Sequence, residues 1–287
     1  MILSVVIITH NEEANIGRTL ASVMPLAGEG NAEIIVVDSG STDLTVETAK
    51  SFGAKVFVEE WKGYAAQKNS AIDKAEGDWI LSLDADEEVG PGLASEIYAA
   101  THGRDGINSP GGDSLETVER VIAVEEDEER DGTGSPVGFW IPRQNFFLRK
   151  WMKHGGFWPD PKLRLFRRGA ARFEDRAVHE HVKLNGGLSP TLKNALIHHS
   201  YPTLSDYIDH MNRYSSLGAE MVVAKGPRGF SLFNILLRPL ATFTYNYFVR
   251  LGFLDGREGL LLHLYHGVYV SWKYAKAWEL SRRGDAK

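Results

Sequence analysis

The 287-residue sequence contains no cysteine, which excludes disulfide bridges and thiolate metal sites but leaves the redox compartment open. Long apolar runs are also missing. The longest uncharged apolar stretch near the C-terminus, at 260–272, has thirteen residues and includes two histidines, whereas a membrane-spanning helix needs about 20. The start, MILSVVIITHNEE, lacks the basic region and the small-residue cleavage site of a signal peptide. We therefore expect a protein that stays in the cytoplasm.

The charge of the chain is unevenly distributed. The net charge is −6, but residues 225–287 carry ten Lys and Arg against four Asp and Glu, a surplus of +6. The rest of the chain must then carry −12. A basic C-terminal region on an acidic body predicts an anionic partner for that region, either a nucleic acid or a membrane.

The first hundred residues alternate between two kinds of segment. Short apolar runs rich in Val and Ile predict strands buried on both faces, at 3–9, 33–38, 54–58 and 78–83. Helical stretches lie between them, and the second of these is expected to be capped by Ser41 or Thr42 and ended by Gly53. This βαβαβαβ order predicts an α/β fold with a mostly parallel central sheet covered by helices.

The remaining chain divides by composition. Residues 103–138 are rich in Gly, Ser and Pro and include the acidic run EEDEERD, which favours a flexible solvated insertion over a lid. Residues 139–200 are aromatic and basic, and residues 204–224 have a helical pattern. Two or three mixed apolar, aromatic and basic helices follow. We therefore divide the chain at 1–102, 103–138, 139–224 and 225–287.

Polar residues follow three of the predicted strands at the points where the strands end. They are Thr9-His10-Asn11-Glu12, Asp38-Ser39-Gly40-Ser41 and Asp84-Ala85-Asp86. Open parallel sheets bind ligands at the carboxyl ends of their strands. A single such end is readily explained as a helix cap or a turn. Three together predict a ligand site.

The glycine-rich loop of a dinucleotide fold is absent, since Thr-His-Asn-Glu-Glu follows the first strand and the first glycine is Gly17. Bound phosphates would need another source of positive charge. Asp84 and Asp86 repel each other unless a cation lies among them, and paired acids suit Mg²⁺ or Mn²⁺ held against a diphosphate. The alternative is a solvated loop before a helix, and we interpret Glu87 and Glu88 as acids at that helix's N-terminus.

Motifs along the whole chain resemble a known family. THNEE, VVDSGSTD, GYAAQKNSA and LSLDADEE, in this order, resemble the inverting family 2 glycosyltransferases with the GT-A fold. IPRQNFFL, HGGFWPDPKLRLFRRG, RAVHE, NRYS and GFLDGREG are similar to a narrower group, the bacterial lipopolysaccharide inner-core β-glucosyltransferases. The resemblance covers nearly everything except 103–138. It implies transfer of a hexose, glucose in this group, from a nucleotide sugar to a lipid-linked saccharide such as the inner-core heptose.

The resemblance implies a nucleotide-sugar-binding half at 1–102. Residues expected to line the nucleoside pocket are Thr9, Asn11 and Glu12. Asp38 would read the nucleobase, which favours a UDP-hexose, while Gln67 and Lys68 would contact the nucleotide. For Arg164, Arg167 and Arg168, contact with phosphates and simple solvation of a strand both remain open.

The resemblance also implies a metal site and a catalytic base. Asp84 and Asp86 form its D-x-D pair, with Asp86 as the direct ligand of Mg²⁺ or Mn²⁺, Asp84 closer to the ribose or sugar, and His179 as a further candidate ligand. Inversion by single displacement needs a base for the acceptor hydroxyl. The family's VHE motif favours Glu180, with Asp175 as runner-up, which would make 139–224 the acceptor-binding half.

The C-terminal part, 225–287, is expected to form amphipathic helices that lie on an anionic membrane surface, at the inner face of the cytoplasmic membrane. The alternative is that its aromatic residues pack on the catalytic domain. Nucleic acid is not expected, because no recognition motif is present and the body is acidic.

Two other functions remain open. A polyprenyl-phosphate or other polysaccharide glycosyltransferase would share every donor motif and differ within 139–200. A non-catalytic nucleotide-sugar-binding membrane scaffold would need no base, so Asp84, Asp86 and Glu180 argue against it.

Overall fold

The computed structural model describes residues 2–28, 32–102, 135–174, 181–226 and 229–284. These form two compact units. The first comprises the described residues of 1–143, 161–176 and 180–198, and the second those of 144–160 and 199–287. The functional division made from the sequence stays a prediction, and most of the insertion, 103–134, lies outside the described residues.

Twelve strands and seven α-helices are described. The strands are β1 Leu3–Thr9, β2 Ala32–Asp38, β3 Lys55–Val58, β4 Trp79–Asp84, β5 Glu87–Val89, β6 Gly138–Ile141, β7 Arg143–Phe147, β8 Lys150–Trp151, β9 Lys162–Arg167, β10 Ala171–Glu174, β11 His181–Leu184 and β12 Leu196–Tyr201. The helices are α1 Ile16–Val23, α2 Thr45–Ser51, α3 Tyr64–Asp73, α4 Pro91–His102, α5 Leu204–Val223, α6 Arg238–Thr244 and α7 Gly256–Gly284.

A six-stranded sheet organises the first unit, in the order β3-β2-β1-β4-β9-β6. The four strands predicted from the apolar runs are mutually parallel, and β9 and β6 extend the sheet with antiparallel pairing. The predicted α/β fold with a mostly parallel central sheet is therefore confirmed.

Alternate residues of the parallel strands belong to two separate apolar cores. Val5 and Ile7 belong to one cluster, while Val6 lies in the other with Ile35 and Ile80. Successive side chains of a strand point to opposite faces, so a run without polar residues can fill a core on each face. Each fully buried Val, Leu or Ile contributes about 1.5–3 kcal/mol.

Helix α2 differs from expectation at its start. Thr45 is its first residue and Leu44 occupies the N-cap position, so neither Ser41 nor Thr42 caps the helix; the Asp43 carboxylate accepts the Thr45 N–H at 3.0 Å. The Ser41 hydroxyl instead accepts a hydrogen bond from the Asn11 N–H at 2.8 Å. The predicted end is confirmed, since α2 stops at Ser51 and Gly53 follows with a φ of +78°.

The second unit is mainly helical. Thr203 and Asp206 form a capping box at the start of α5, the helix predicted at 204–224. Phe147, Met152, Tyr207, Met211 and Leu262 form its buried core. Two single π-helical turns, Phe233–Leu237 and Tyr245–Val249, flank α6. Among the described helices, none is both long and apolar enough to cross a membrane.

Candidate functional site

The carboxyl ends of β1, β2 and β4 meet at one edge of the sheet. The strand register places Thr9 beside Asp38 and Ile8 beside Asp84. The polar segments that follow these strands therefore lie together, as their shared direction in a parallel sheet requires.

Asp38 orders the loop after β2. Its buried carboxylate accepts hydrogen bonds from the Thr9 hydroxyl at 2.9 Å and from the backbone N–H groups of Gly40 and Ser41 at 2.9 and 2.8 Å. These bonds join the ends of β1 and β2. The role of Asp38 in reading a nucleobase stays a prediction.

Asn11 and Glu12 connect the loop after β1 to the start of α2. The Asn11 side-chain oxygen accepts from the Thr42 N–H at 2.9 Å, and the Glu12 N–H donates to the Thr45 hydroxyl at 2.7 Å. Burial, together with the nearby carboxylates of Asp86, Asp43 and Asp84, raises the pKa of Glu12 despite its hydrogen bond from Asn15. The loops thus form a polar rim around a crowded group of acids.

Two basic side chains form ion pairs with Asp84. One carboxylate oxygen lies 2.8 Å from Lys68 Nζ on α3, and the other accepts from Arg164 on β9. Burial opposes ionisation of Asp84, but Arg164 and Lys68 outweigh it and hold its pKa well below the usual range. The protein therefore supplies part of the positive charge that the sequence assigned to a metal alone.

The interpretation of Glu87 and Glu88 as acids at the N-terminus of α4 is wrong. Both lie in β5, and Glu87 is fully buried, 2.7 Å from Arg164 and 3.1 Å from Arg143. Glu87 also accepts the Asp84 N–H at 2.9 Å, and Glu88 forms an ion pair with Arg18. Arg164 is buried as well, so it does not simply solvate a strand.

Asp86 lies beside a histidine that no motif of the sequence predicts. Antiparallel pairing of β12 with β5 puts His198 opposite Glu87, and His198 Nε2 is 3.3 Å from Asp86 Oδ2. Burial favours the neutral acid, but His198 outweighs it and lowers the pKa of Asp86. The only signal in the sequence was the His-His pair in LIHHSY, and no spacing rule linked it to Asp86.

The potential metal ligands at this edge of the sheet fit a divalent cation that is held partly by the substrate. Among the residues that the structure describes, no three His, Asp or Glu side chains form a cluster that could hold a metal ion. Asp86 and His198 form a pair of suitable donors. Mg²⁺ is commonly bound through one or two carboxylates together with substrate phosphates, not in an all-protein cage.

Helix α3 carries the remaining donor-site candidates. The buried Gln67 side chain has no hydrogen-bond partner among the described residues. The next side chain, Lys68, lies 5.2 Å from the centre of the Phe173 ring. Asn69 exchanges two hydrogen bonds with the Phe173 backbone, at 2.8 and 3.0 Å. These contacts tie β10 to α3.

The predicted catalytic and metal-binding residues of the second half lie outside the described residues. Asp175, His179 and Glu180 fall in 175–180, between the end of β10 and the start of β11. Their roles stay predictions. Phe173, which is tied to α3, precedes this segment by one residue, Glu174.

A model of glycosyl transferase family 2 matches residues 4–172, more than half of the chain. The chain therefore belongs to glycosyltransferase family 2, and the resemblance to that family identified from its motifs is confirmed.

Relatives match nearly the whole chain. An uncharacterised glycosyltransferase of Rickettsia felis is 30% identical over 269 residues, covering 90% of this chain and 83% of that protein. The lipopolysaccharide core biosynthesis glycosyltransferase LpsC of Rhizobium meliloti is 28% identical over 267 residues, covering 88% and 82%.

A solved structure matches a smaller part. Glucosyl-3-phosphoglycerate synthase of Mycobacterium tuberculosis, in complex with Mn²⁺, UDP and glucosyl-3-phosphoglycerate, is 28% identical. The match covers 36% of this chain and 40% of that one, with a TM-score of 0.31. A likeness at that level carries no conclusion about this chain.

Proposed function

We propose that this family 2 glycosyltransferase transfers a hexose, glucose in the first instance, from a UDP sugar to a lipid-linked saccharide, with inversion at the anomeric carbon. The observation that carries the proposal is the meeting of β1, β2 and β4 at one edge, where Asp86 and His198 lie side by side and two cations hold Asp84. The similarity to LpsC over 88% of the chain favours a lipopolysaccharide core acceptor, and the motifs of the chain add the inner-core heptose as the specific candidate.

The donor would bind across the strand ends. Thr9, Asn11 and Glu12 belong to loops that their hydrogen bonds preorganise, so little ordering entropy is lost when the nucleoside binds. Lys68 lies in the ion pair with Asp84, close enough to offset diphosphate charge if that pair loosens. The unsatisfied amide of Gln67 supports a polar ligand near α3.

We assign Mg²⁺ or Mn²⁺ to Asp86 with His198, and keep His179 as a candidate third ligand. Bound there, the ion would act as a Lewis acid for the departing diphosphate. Asp84 forms ion pairs with Lys68 and Arg164. It therefore fits a role close to the ribose or sugar better than direct ligation of the metal ion.

The base belongs to the segment that follows β10. Glu180, with Asp175 as runner-up, would accept the proton of the acceptor hydroxyl as that oxygen attacks the anomeric carbon. The proposal is supported by the two hydrogen bonds between Asn69 and Phe173, because they hold Phe173, two residues before Asp175 in the sequence, against the helix that carries Lys68.

We further propose a peripheral location on the inner face of the cytoplasmic membrane. The +6 surplus of residues 225–287 would attract anionic lipid, and each basic residue near such a surface contributes about 1 kcal/mol. This location would place the enzyme on the surface that carries a lipid-linked acceptor.

A nucleotide-sugar hydrolysis screen tests the activity. UDP-glucose, UDP-galactose and other nucleotide sugars are compared with Mg²⁺ or Mn²⁺, each with and without a heptose-containing lipid acceptor or a polyprenyl phosphate. We expect slow metal-dependent hydrolysis of UDP-glucose and faster turnover with the heptose acceptor.

For the variant Asp86→Ala in the same assay, Asp73→Asn is the control, because Asp73 is an exposed acid on α3 whose one ion pair in the described part of the chain is with Arg172. It should behave as the wild type. Stimulation by polyprenyl phosphate instead of the heptose acceptor would move the function to the alternative transferase. Binding without any turnover would favour the scaffold.

A further inference from the structure

One short segment of the second unit exposes an unusual amount of apolar surface. Of the 21 large hydrophobic side chains exposed in the described chain, twelve lie between Phe230 and Leu254. No residue of 229–251 is buried. Soluble proteins seldom expose contiguous apolar patches of this kind unless the patch binds something.

The exposed residues recur at a spacing of four. The apolar face, as we call it, consists of Leu232, Phe233, Leu236, Leu237, Leu240, Tyr245, Phe248 and Val249. In a regular α-helix, residues four apart drift by about 40° per step, so such a row would wind around the helix. Wider π-helical turns occur at Phe233–Leu237 and Tyr245–Val249, and from their geometry we infer that they counter this drift and keep the apolar face on one side.

The opposite side of the segment packs on α7. The Ser271 hydroxyl donates to the Ile235 carbonyl at 2.8 Å. At Gly267 an added Cβ would lie 3.1 Å from the Pro239 carbonyl oxygen and 3.7 Å from Phe243 Cβ. The segment therefore has an inner side in contact with α7 and an outer side that no residue in the described ranges covers.

Charge distinguishes between the two candidates that could cover the apolar face, a second copy of the chain and an anionic bilayer. Residues 230–254 contain two charged side chains, Arg238 and Arg250, and no acid. A two-fold dimer through this face would bring together two segments that each carry a charge of +2 and no acid, although Arg238 itself lies against Tyr274 on α7. An anionic bilayer offers both the apolar interior and the negative headgroups that this face complements.

We propose that Phe230–Leu254 is an in-plane membrane anchor, whose apolar face is buried at the headgroup boundary of an anionic bilayer. The anchor deepens the proposed function, because it names the element that would hold the enzyme at the surface of its lipid-linked acceptor. Binding should depend mainly on the apolar side chains and only secondarily on the arginines.

Vesicle flotation tests the anchor. The full chain is mixed with phosphatidylcholine vesicles, with and without phosphatidylglycerol, at low and high salt. The variant Leu236→Gln/Leu240→Gln/Phe248→Gln changes the apolar face alone. We expect its partition coefficient onto anionic vesicles to fall at least about tenfold, whereas salt weakens wild-type binding without abolishing it.

The control variant Leu44→Gln/Val58→Gln changes two apolar side chains of the first unit, each 63% exposed, and should float as the wild type. Flotation of the triple variant at the wild-type level overturns the anchor. So does a wild-type dimer in sedimentation velocity that the triple substitution dissociates, since a second copy would then cover the face.

Nucleotide-sugar hydrolysis without vesicles separates this proposal from the proposed function. The triple variant should hydrolyse the donor at the wild-type rate. If neither protein hydrolyses any donor but flotation behaves as expected, the anchor stands and the proposed activity fails.

Discussion

Arg164→Met removes the cation shared by two acids of the candidate site. Arg164 is 4% exposed, and its guanidinium contacts Asp84 and also Glu87, at 2.7 Å. In the variant, Glu87 keeps Arg143 at 3.1 Å and Asp84 keeps Lys68 at 2.8 Å. Glu87 has no exposed surface, so water cannot replace the lost partner.

The expected loss of stability in Arg164→Met follows from these ion pairs. Removing one partner of a buried ion pair costs about 3–5 kcal/mol, because the other charge stays buried and unpaired. Each acid here retains one cation, so we expect the lower end, about 3 kcal/mol. At about 2–4 °C per kcal/mol for a unit of this size, the first unit should melt about 6–12 °C lower.

Thermal and urea unfolding measure the effect, with Arg167→Met as the matched control. Arg167 lies on the same strand but is exposed, with its guanidinium 4.7 Å from the centre of the Trp79 ring. Losing an exposed cation–π contact costs about 0.5–1 kcal/mol.

A double variant tests whether Arg164 and Glu87 are energetically coupled. Arg164→Met/Glu87→Gln removes both charges of one pair, so its loss should be smaller than the sum of the two single losses. The idea that Arg164 neutralises Asp84 and Glu87 would be refuted by either of two results. One is an equal loss of unfolding free energy in Arg164→Met and Arg167→Met, and the other is strict additivity in the double variant.

Three further predictions concern the reaction and its acids. Asp86→Ala should lower kcat/KM by more than about a hundredfold, since a metal ligand is worth several kcal/mol in the transition state, and full activity in chelator-treated buffer would contradict the metal assignment. Glu180→Gln should keep nucleotide-sugar affinity but lose about 10²–10⁴ in transfer rate, and the same loss in Asp175→Asn instead would identify the other base. Burial opposes ionisation of Asp84, but its cations hold its pKa below the unfolded value of about 3.9. The native state then binds fewer protons than the unfolded chain, so stability should fall as the pH drops below about 4. Urea midpoints between about pH 6 and pH 2.5 measure this fall, which Asp84→Asn should flatten.

The sequence by itself determined the four parallel strands of the six-stranded sheet. The central residues of LSVVIIT and EIIVVD, at 5–8 and 34–37, are apolar without alternation, and only a strand covered on both faces can bury all of them. Strand direction then follows from the intervening helices, so the meeting of Thr9, Asp38 and Asp84 could be expected from local pattern alone.

Local competition misled the prediction for the start of α2. Ser41, Thr42 and Asp43 are all good capping residues. The Ser41 hydroxyl accepts from the Asn11 N–H and the Thr42 N–H donates to the Asn11 side chain, so the helix begins later, with Leu44 at the N-cap position and Asp43 accepting the Thr45 N–H. The choice depends on a loop about thirty residues earlier in the chain.

Only the tertiary structure decided which groups balance the charge of the acids. Arg164 reaches Asp84 across eighty residues of sequence, because β9 pairs antiparallel with β4, and His198 reaches Asp86 because β12 pairs with β5. The register of such long-range antiparallel pairs has no local signature, since it is set by packing against the finished sheet. Residue type and strand ends therefore locate the acids, whereas their partners depend on strand pairings that exist only in the folded chain.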